Sequence, residues 1–247
     1  MIVQIYEIQT PEEAEICIEK GVDHIGSVIL SEDDWCQPIL REAIRVSDGT
    51  GAKSSLIPLF QGDDNLYRAV DYYKPRFVHF CESLTDDQRK EIDLERFILR
   101  QATLKERFPE IGIIRSIPIP EEGSASQFPS LRIAGRLEPV SDLFLIDTWL
   151  GNGPVKGYIG ITGRTCDRDT AGKLVGQSSI PVILGGGLSP ENVFEALMVV
   201  QPSGADSCTQ TNRMDKKGNP IRFRKDFKKV ERFVDEVRRV ERVRKIH

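Results

Sequence analysis

Residues 181–193 read Pro-Val-Ile-Leu-Gly-Gly-Gly-Leu-Ser-Pro-Glu-Asn-Val, and this stretch decides the fold prediction. The apolar run 182–184 has the composition and length of a buried parallel strand. Three glycines follow, and a backbone without Cβ atoms lets a ligand approach closely. Ser189, Pro190 and Glu191 are typical of a helix start, with Ser189 as N-cap. Strand, glycine turn and helix N-terminus together predict an anion site, the alternative being a turn that only closes a strand–helix connection.

The rest of the chain repeats this strand–helix order without a linker. Strands are predicted at 2–6, 23–30, 54–60, 76–80, 112–117, 142–146, 181–184 and 204–207. Helices are predicted from Thr10, at 38–47, 65–73, 86–107, 130–137 and 168–175, from Pro190, and through the basic C-terminal segment. Alternating strands and helices over 1–247 predict a single α/β domain, the parallel (β/α)8 or TIM barrel. A doubly wound open sheet is the alternative, but no glycine fingerprint follows the first strand.

The composition narrows the class of protein. The chain has 247 residues, 39% hydrophobic and 29% charged, with a net charge of −4, which is typical of a globular protein and argues against nucleic-acid binding. It has no long apolar run and no signal-peptide features at its start, so we expect no membrane association. Five cysteines without a CxxC pair favour reduced thiols and a cytoplasmic location. The histidines are too scattered to predict a metal site, and no cofactor is predicted.

The C-terminal segment differs in charge from the rest of the chain. From 222 to 247 there are eleven Lys or Arg against five Asp or Glu. Apolar residues recur at helical spacing through it, at Val230, Phe233, Val234, Val237 and Val240. This pattern predicts an amphipathic helix that closes the domain, the alternative being a membrane-surface or RNA-binding arm.

A barrel carries its functional residues at the carboxyl ends of its strands. Here those positions hold Tyr6, Glu7, 31–35, Gln61, Cys81, Glu82, Ile119, Asp147, 185–187 and 207–211. The seventh and eighth loops commonly bind phosphate, which predicts a phosphorylated small-molecule ligand on Gly186, Gly187, Ser207, Cys208 and Thr209. Asp147 follows the apolar run 143–146, so burial should raise its pKa and suit it to act as a general acid. Its alternative role is hydrogen bonding to loop amides.

These motifs resemble the phosphoribosylanthranilate isomerase family of tryptophan biosynthesis. The family's seventh-strand signature resembles 183–193, with its usual alanine replaced by Gly185, and its Leu-Leu-Asp-Thr resembles 145–148. Its Gly-Gly-Thr-Gly-Lys-Thr-Phe-Asp loop is similar to 160–167, and its Gly-Ala-Asp-x-Ile-Gly is matched at 21–26. The resemblance implies the barrel fold, Asp147 as general acid, and a substrate loop at Thr162, Gly163 and Arg164. A weaker resemblance, to BtpA-like barrels, rests on Thr162-Gly163 and on the polar run from Ser207.

Two features of the resembling family are absent from this chain. Family members begin with Lys-Ile-Cys-Gly, where the cysteine is the general base, and here Tyr6 stands at that position. A phenol with a pKa of about 10 is a poor base near neutral pH. The family's Ser-Pro-Arg, whose arginine resembles a carboxylate clamp, becomes 31–33, Ser-Glu-Asp. We therefore expect little phosphoribosylanthranilate isomerase activity, with Cys81 or Glu82 as a substitute base.

Three functions remain open at this point. The first, which we favour, is an isomerase or lyase acting on a phosphorylated small molecule with Asp147 as acid. The second is an authentic phosphoribosylanthranilate isomerase with a rebuilt site. The third is a non-catalytic barrel that binds a phosphorylated metabolite or a protein. The long connections 148–167 and 207–221 are candidates for lids over the ligand.

Overall fold

The computed structural model describes residues 1–124, 127–151 and 155–245. Eight parallel strands close into a barrel in chain order, with the eighth hydrogen-bonded to the first, so the predicted (β/α)8 fold is confirmed. The barrel strands are β1 Ile2–Ile5, β2 His24–Ile29, β3 Lys53–Pro58, β4 Phe77–Phe80, β5 Gly112–Pro120, β6 Leu143–Trp149, β7 Val182–Leu184 and β8 Gly204–Ser207. The helices are α1 Pro11–Glu19, α2 Pro38–Arg45, α3 Asp63–Tyr73, α4 Glu95–Arg107, α5 Ser130–Leu137, α6 Arg168–Gln177, α7 Val193–Val200 and α8 Phe227–Arg244.

Several helices begin at a side-chain cap, and the one at the start of α1 is where the sequence predicts it. The Thr10 hydroxyl accepts a hydrogen bond from the Glu13 amide, and Pro11 is the first residue of α1. Asp167 caps α6 and Asp226 caps α8 in the same way. The five apolar residues of α8 singled out above are all buried, which confirms that this basic helix packs its apolar face on the barrel. No helix within the described residues is long and apolar enough to cross a membrane.

Two predicted helix starts are wrong. The helix predicted at 86–107 begins only at Glu95, because the Asp86 carboxylate accepts the amides of Gln88 and Lys90 and so closes a turn. The helix predicted from Pro190 begins at Val193. There the Asn192 side chain accepts from the Ser189 amide and donates to the Gly187 carbonyl, which fixes a loop before the helix.

A hairpin that the sequence did not predict lies between β8 and α8. β9, Asn212–Met214, pairs antiparallel with β10, Pro220–Lys225, so the hairpin begins in the connection 207–221 predicted as a lid and extends past it. Lys225 is 2% exposed, and its ammonium donates to the Cys208 carbonyl at 2.8 Å and to Asn212 Oδ1 at 2.6 Å. These hydrogen bonds fasten the base of the hairpin to the carboxyl end of β8.

Two apolar clusters pack the strands against the surrounding helices, and a smaller one fills the barrel. The smaller cluster consists of Phe77, Ile114, Leu143, Leu145 and Ile183. Polar side chains also lie buried in the barrel: His24 Nδ1 donates to Gln4 Oε1 at 3.1 Å, and the Gln4 side-chain amide donates to Asp206 Oδ1. The barrel interior therefore combines an apolar cluster with a buried chain of hydrogen-bonded side chains.

Candidate active site

Two connected cavities open at the carboxyl ends of the strands. The larger encloses about 600 Å³ and the smaller about 310 Å³. Four residues line both of them: Asp147, Ile161, Asp206 and Cys208. One ligand can therefore extend from one cavity into the other.

The smaller cavity is built from the loops that follow β6, β7 and β8. Its lining includes the predicted phosphate residues Gly186, Gly187, Ser207, Cys208 and Thr209, together with Thr162 and Gly163 of the predicted substrate loop. Within the described residues, no acceptor takes the amide N–H of Gly163, Gly186, Gly187 or Cys208. Unpaired backbone donors are rare in a folded protein, and several around one small cavity suit an anionic group. Because α7 begins beyond this loop, the loop amides rather than a helix end supply the donors.

Close packing around the two central glycines excludes larger residues. Gly186 and Gly187 have φ angles of +78° and +62°. A Cβ on Gly187 would lie 2.7 Å from the Gly163 carbonyl oxygen, so the loops after β6 and β7 touch through their backbones. The Thr148 hydroxyl adds a bond of 2.6 Å to the Arg164 carbonyl, which fixes the substrate loop against β6.

Two carboxyl groups lie at the junction of the cavities. Asp147 lies within β6, two residues before its end, rather than after the strand. Burial raises its pKa to about 6, although the hydrogen bond from the Thr148 amide opposes this rise. Asp206, on β8, is 8% exposed. Burial raises its pKa to about 7, the nearby Asp147 adds to the rise, and the hydrogen bond from Gln4 opposes it. Such a pair can hold one proton between two groups near neutral pH.

Tyr6 is part of a buried hydrogen-bonded chain. Its hydroxyl lies 2.6 Å from Ser55 Oγ and 2.6 Å from His79 Nδ1, and His79 Nε2 lies 2.8 Å from Ser116 Oγ. Burial raises the pKa of Tyr6 well above its usual value and lowers that of His79 to about 3. The phenol is therefore protonated and the imidazole neutral, so Tyr6 can donate a hydrogen bond in the larger cavity but is a poor base.

Cys81 also lines the larger cavity, whereas Glu82 does not. Burial raises the pKa of the Cys81 thiol, and the neighbouring Glu82 raises it further. Glu82 accepts from Arg115 at 2.7 Å and from Arg100 at 2.9 Å, in an ion-pair cluster behind β4 and β5. Neither group has the properties of an available base.

The Arg164 side chain is directed away from both cavities. It is 64% exposed, and its Nε donates to Glu121 at 2.6 Å. The same chain segment covers the larger cavity a few residues earlier, where Tyr158, Ile159, Gly160 and Ile161 line it. The Ile159 amide donates to the Cys81 carbonyl at 2.9 Å, which fastens this cover to β4. The predicted lid residues 152–154 lie outside the described residues.

Sequence reasoning missed two residues of the site, Asp206 and Arg222. Asp206 occupies the third position of a four-residue strand, Gly-Ala-Asp-Ser, and an acid inside a buried strand was the available signal. Arg222 lies on the unpredicted hairpin and lines the larger cavity. No group of three or more His, Cys, Asp or Glu in the described part of the chain could hold a metal ion.

Comparison with curated proteins points to relatives that share one name. No family model matches the chain. Several curated relatives named N-(5'-phosphoribosyl)anthranilate isomerase are 23–28% identical to it over nearly its full length. The relative from Methanocella arvoryzae is 28% identical over 245 residues, which cover 96% of this chain and 97% of the relative.

Solved structures agree with these relatives. The N-(5'-phosphoribosyl)anthranilate isomerase of Pyrococcus furiosus has a TM-score of 0.65 and 25% identity, covering 97% of this chain and all of its own. A phosphoribosylanthranilate isomerase in complex with reduced 1-(o-carboxyphenylamino)-1-deoxyribulose 5-phosphate has a TM-score of 0.63 and 19% identity, covering 96% of this chain and 99% of its own. The resemblance seen in the motifs is thereby confirmed across the chain, which is a divergent phosphoribosylanthranilate isomerase-like (β/α)8 barrel.

Proposed function

We propose that this protein is a phosphoribosylanthranilate isomerase, which converts N-(5'-phosphoribosyl)anthranilate by an Amadori rearrangement in tryptophan biosynthesis. This is the second of the three functions left open by the sequence, and the names of the full-length relatives favour it. One observation carries the proposal. Asp147 and Asp206 both line the junction between a cavity rich in free amides and a larger apolar one, and both have a pKa near neutrality.

The two cavities match the two ends of this substrate. The free amides of Gly163, Gly186 and Gly187 suit the phosphate. The larger cavity has apolar walls that suit an aromatic ring, formed mainly by Val28, Ile57, Leu59, Leu145, Ile159 and Ile161. The ribose would then lie between them, beside Asp147 and Asp206.

The rearrangement needs one acid and one base. Asp147 gives its proton to the ribose ring oxygen as the bond between that oxygen and C1 breaks, leaving a protonated imine. Asp206 takes the proton from C2, and the electron pair forms the enolamine, which tautomerises to the ketone. The reaction is an isomerisation, so no electrons are gained or lost. The role of Asp147 as acid follows the resemblance to the family, and Asp206 is the other carboxyl group at the junction of the cavities, where it can take the proton from C2.

Asp206 can also serve as the base in place of the cysteine that is absent from position 6. Tyr6 and Cys81 both have raised pKa values, so neither ionises readily near neutral pH. Glu82 is held by two arginines outside the cavity. Of the four groups, Asp206 alone combines a position on the cavity with a pKa of about 7.

The test is turnover of N-(5'-phosphoribosyl)anthranilate by the purified protein and by its Asp147→Asn and Asp206→Asn variants. Each variant keeps the shape of the side chain but cannot exchange the proton, so we expect kcat to fall by about 10²–10⁴-fold. Asp235→Asn on the exposed face of α8 is the matched control and should leave kcat unchanged.

Two results would contradict the proposal in different ways. A wild-type protein that neither turns over this substrate nor restores growth to a tryptophan auxotroph lacking the isomerase would exclude the activity. An Asp206→Asn variant with wild-type kcat would keep the activity but exclude Asp206 as the base.

A further inference from the structure

The larger cavity has a single cationic side chain among the described residues that line it, Arg222 of β10. Its guanidinium Nε donates to Glu7 Oε1 at 2.7 Å, and the group stacks 4.8 Å from the centre of the Phe223 ring. Within the described residues no acceptor takes the two terminal NH₂ groups, and the side chain is 36% exposed. The outer edge of the guanidinium is therefore free to bind a planar oxyanion with two parallel hydrogen bonds.

Glu7 holds this arginine in place. Glu7 is the second residue after β1, is 1% exposed and has a φ angle of +65°. Its carboxylate accepts from Arg222, from Asn212 Nδ2 at 3.0 Å and from the Phe223 amide at 3.0 Å. Burial alone would raise the pKa of Glu7, but these hydrogen bonds outweigh it and lower the pKa. Glu7 is consequently ionised, and it fixes the hairpin and the guanidinium together over the cavity.

We propose that Arg222 is a specificity residue that binds a carboxylate on the part of the ligand lying in the larger cavity. The identity of that carboxylate, the anthranilate group, rests on the proposed function. The cavities share four lining residues, so a ligand with phosphate at one end reaches Arg222 with the other. The apolar walls between them leave Arg222 as the cationic partner for a negative charge.

The acidic stretch that follows β2 does not oppose this arrangement. Ser31, Glu32 and Asp33 are absent from the lining of both cavities. Glu32 accepts instead from the Asn65 side chain at 3.0 Å, near the start of α3. These acids therefore do not face a carboxylate bound in the larger cavity, and the cation in that cavity comes from the hairpin after β8.

The test compares two probes on the full chain by isothermal titration calorimetry. One is reduced 1-(o-carboxyphenylamino)-1-deoxyribulose 5-phosphate. The other is the same compound without the ring carboxylate. We expect the wild type to bind the carboxylated probe about 10–100-fold more tightly, the range for a hydrogen-bonded charge pair. Arg222→Gln should bind the two probes about equally, and Arg222→Lys should keep part of the preference because it keeps the charge but loses the planar fork.

Arg224→Gln is the matched control, because Arg224 lies on the same strand, is exposed, and carries the same charge. It should keep the full wild-type preference. Within one variant, the ratio of the dissociation constants for the two probes does not depend on how much of the protein is active. If Arg222→Gln does not fold, the reduced preference expected of Arg222→Lys tests the same role.

The outcomes separate this inference from the proposed function. A wild type without preference for the carboxylated probe, or an unchanged preference in Arg222→Gln, would overturn the role of Arg222 even if turnover is normal. A preference that depends on Arg222 in a protein without isomerase turnover would overturn the proposed function and support the carboxylate site.

Discussion

The surroundings of Asp147 and Asp206 raise the pKa values of both carboxyl groups, so kcat/KM should depend on pH near neutrality. Below a pH of about 6 both are protonated and no base remains, whereas above a pH of about 7 both are ionised and no acid remains. We expect kcat/KM to pass through a maximum between these values and to fall on either side. The measurement is a pH–rate profile of the wild-type protein with N-(5'-phosphoribosyl)anthranilate. A rate that is flat from pH 5 to pH 9 would contradict a proton-sharing pair.

Gly187 should be intolerant of even one extra carbon. Its φ of +62° is unfavourable for alanine, and the new Cβ would press on the Gly163 carbonyl 2.7 Å away. Gly187→Ala should therefore separate the two loops and weaken binding of the reduced phosphorylated analogue by about tenfold or more. Gly172→Ala in α6 meets no atom within 4 Å and is the control, with unchanged affinity. Equal affinity of the two variants for the analogue would show that the loop amides do not form the phosphate site.

Among the secondary-structure elements, the hairpin β9–β10 depends on one buried lysine. Lys225 donates to Cys208 and Asn212, and Lys225→Met would leave Asn212 Oδ1 without a donor among the described residues and remove one donor from the Cys208 carbonyl. The expected loss is about 1–3 kcal/mol of unfolding free energy, measured by urea denaturation. Lys228→Met at an exposed position of α8 should change it by less than about 0.5 kcal/mol. Indistinguishable stability of the two variants would show that the hairpin is not held through Lys225.

The sequence predicted elements well where a pattern was local and poorly where a side chain competed with the backbone. The start of α1 followed from Thr10 and Pro11, and the buried face of α8 from apolar spacing. The starts of α4 and α7 failed because Asp86 and Asn192 bond to backbone groups nearby. The hairpin failed because its residues become ordered through long-range partners such as Glu7, which lies more than 200 residues earlier.

At the scale of the whole molecule, the raised pKa values of Asp147 and Asp206 reduce global stability as pH rises. Each folded-state pKa lies above the unfolded value of about 4, so the folded protein binds more protons. The penalty is absent below pH 4 and complete above pH 7, by linkage. When the pH is raised from 4 to 8, the free energy of unfolding of Asp147→Asn should therefore rise by roughly 1–3 kcal/mol relative to that of the wild type. Urea denaturation at both pH values measures this, and a gain of the same size at both would contradict it.

The assembly of the site could be predicted only in part. Closure of the barrel brings Asp147 together with the glycines after β7 and the residues after β8, as the strand order implied. Glu82 follows β4 and Arg164 lies in the loop between β6 and α6, but ion pairs with Arg100, Arg115 and Glu121 hold their side chains away from the cavities. Local patterns indicate which strand end a residue occupies, and the direction of its side chain depends on partners from other parts of the chain.

The ring of Tyr6 lies in the space above Gly26, where a Cβ would come within 2.3 Å of it. The side chains that positions 6 and 26 can carry therefore depend on each other. While tyrosine is present, position 26 cannot gain a side chain. A return to a small residue at position 6 would leave an unfilled volume until position 26 also changes. The order of substitutions is thus constrained, with Tyr6 replaced first and Gly26 second. Tyr6→Cys alone should therefore leave a cavity above Gly26 and lower the stability of the barrel.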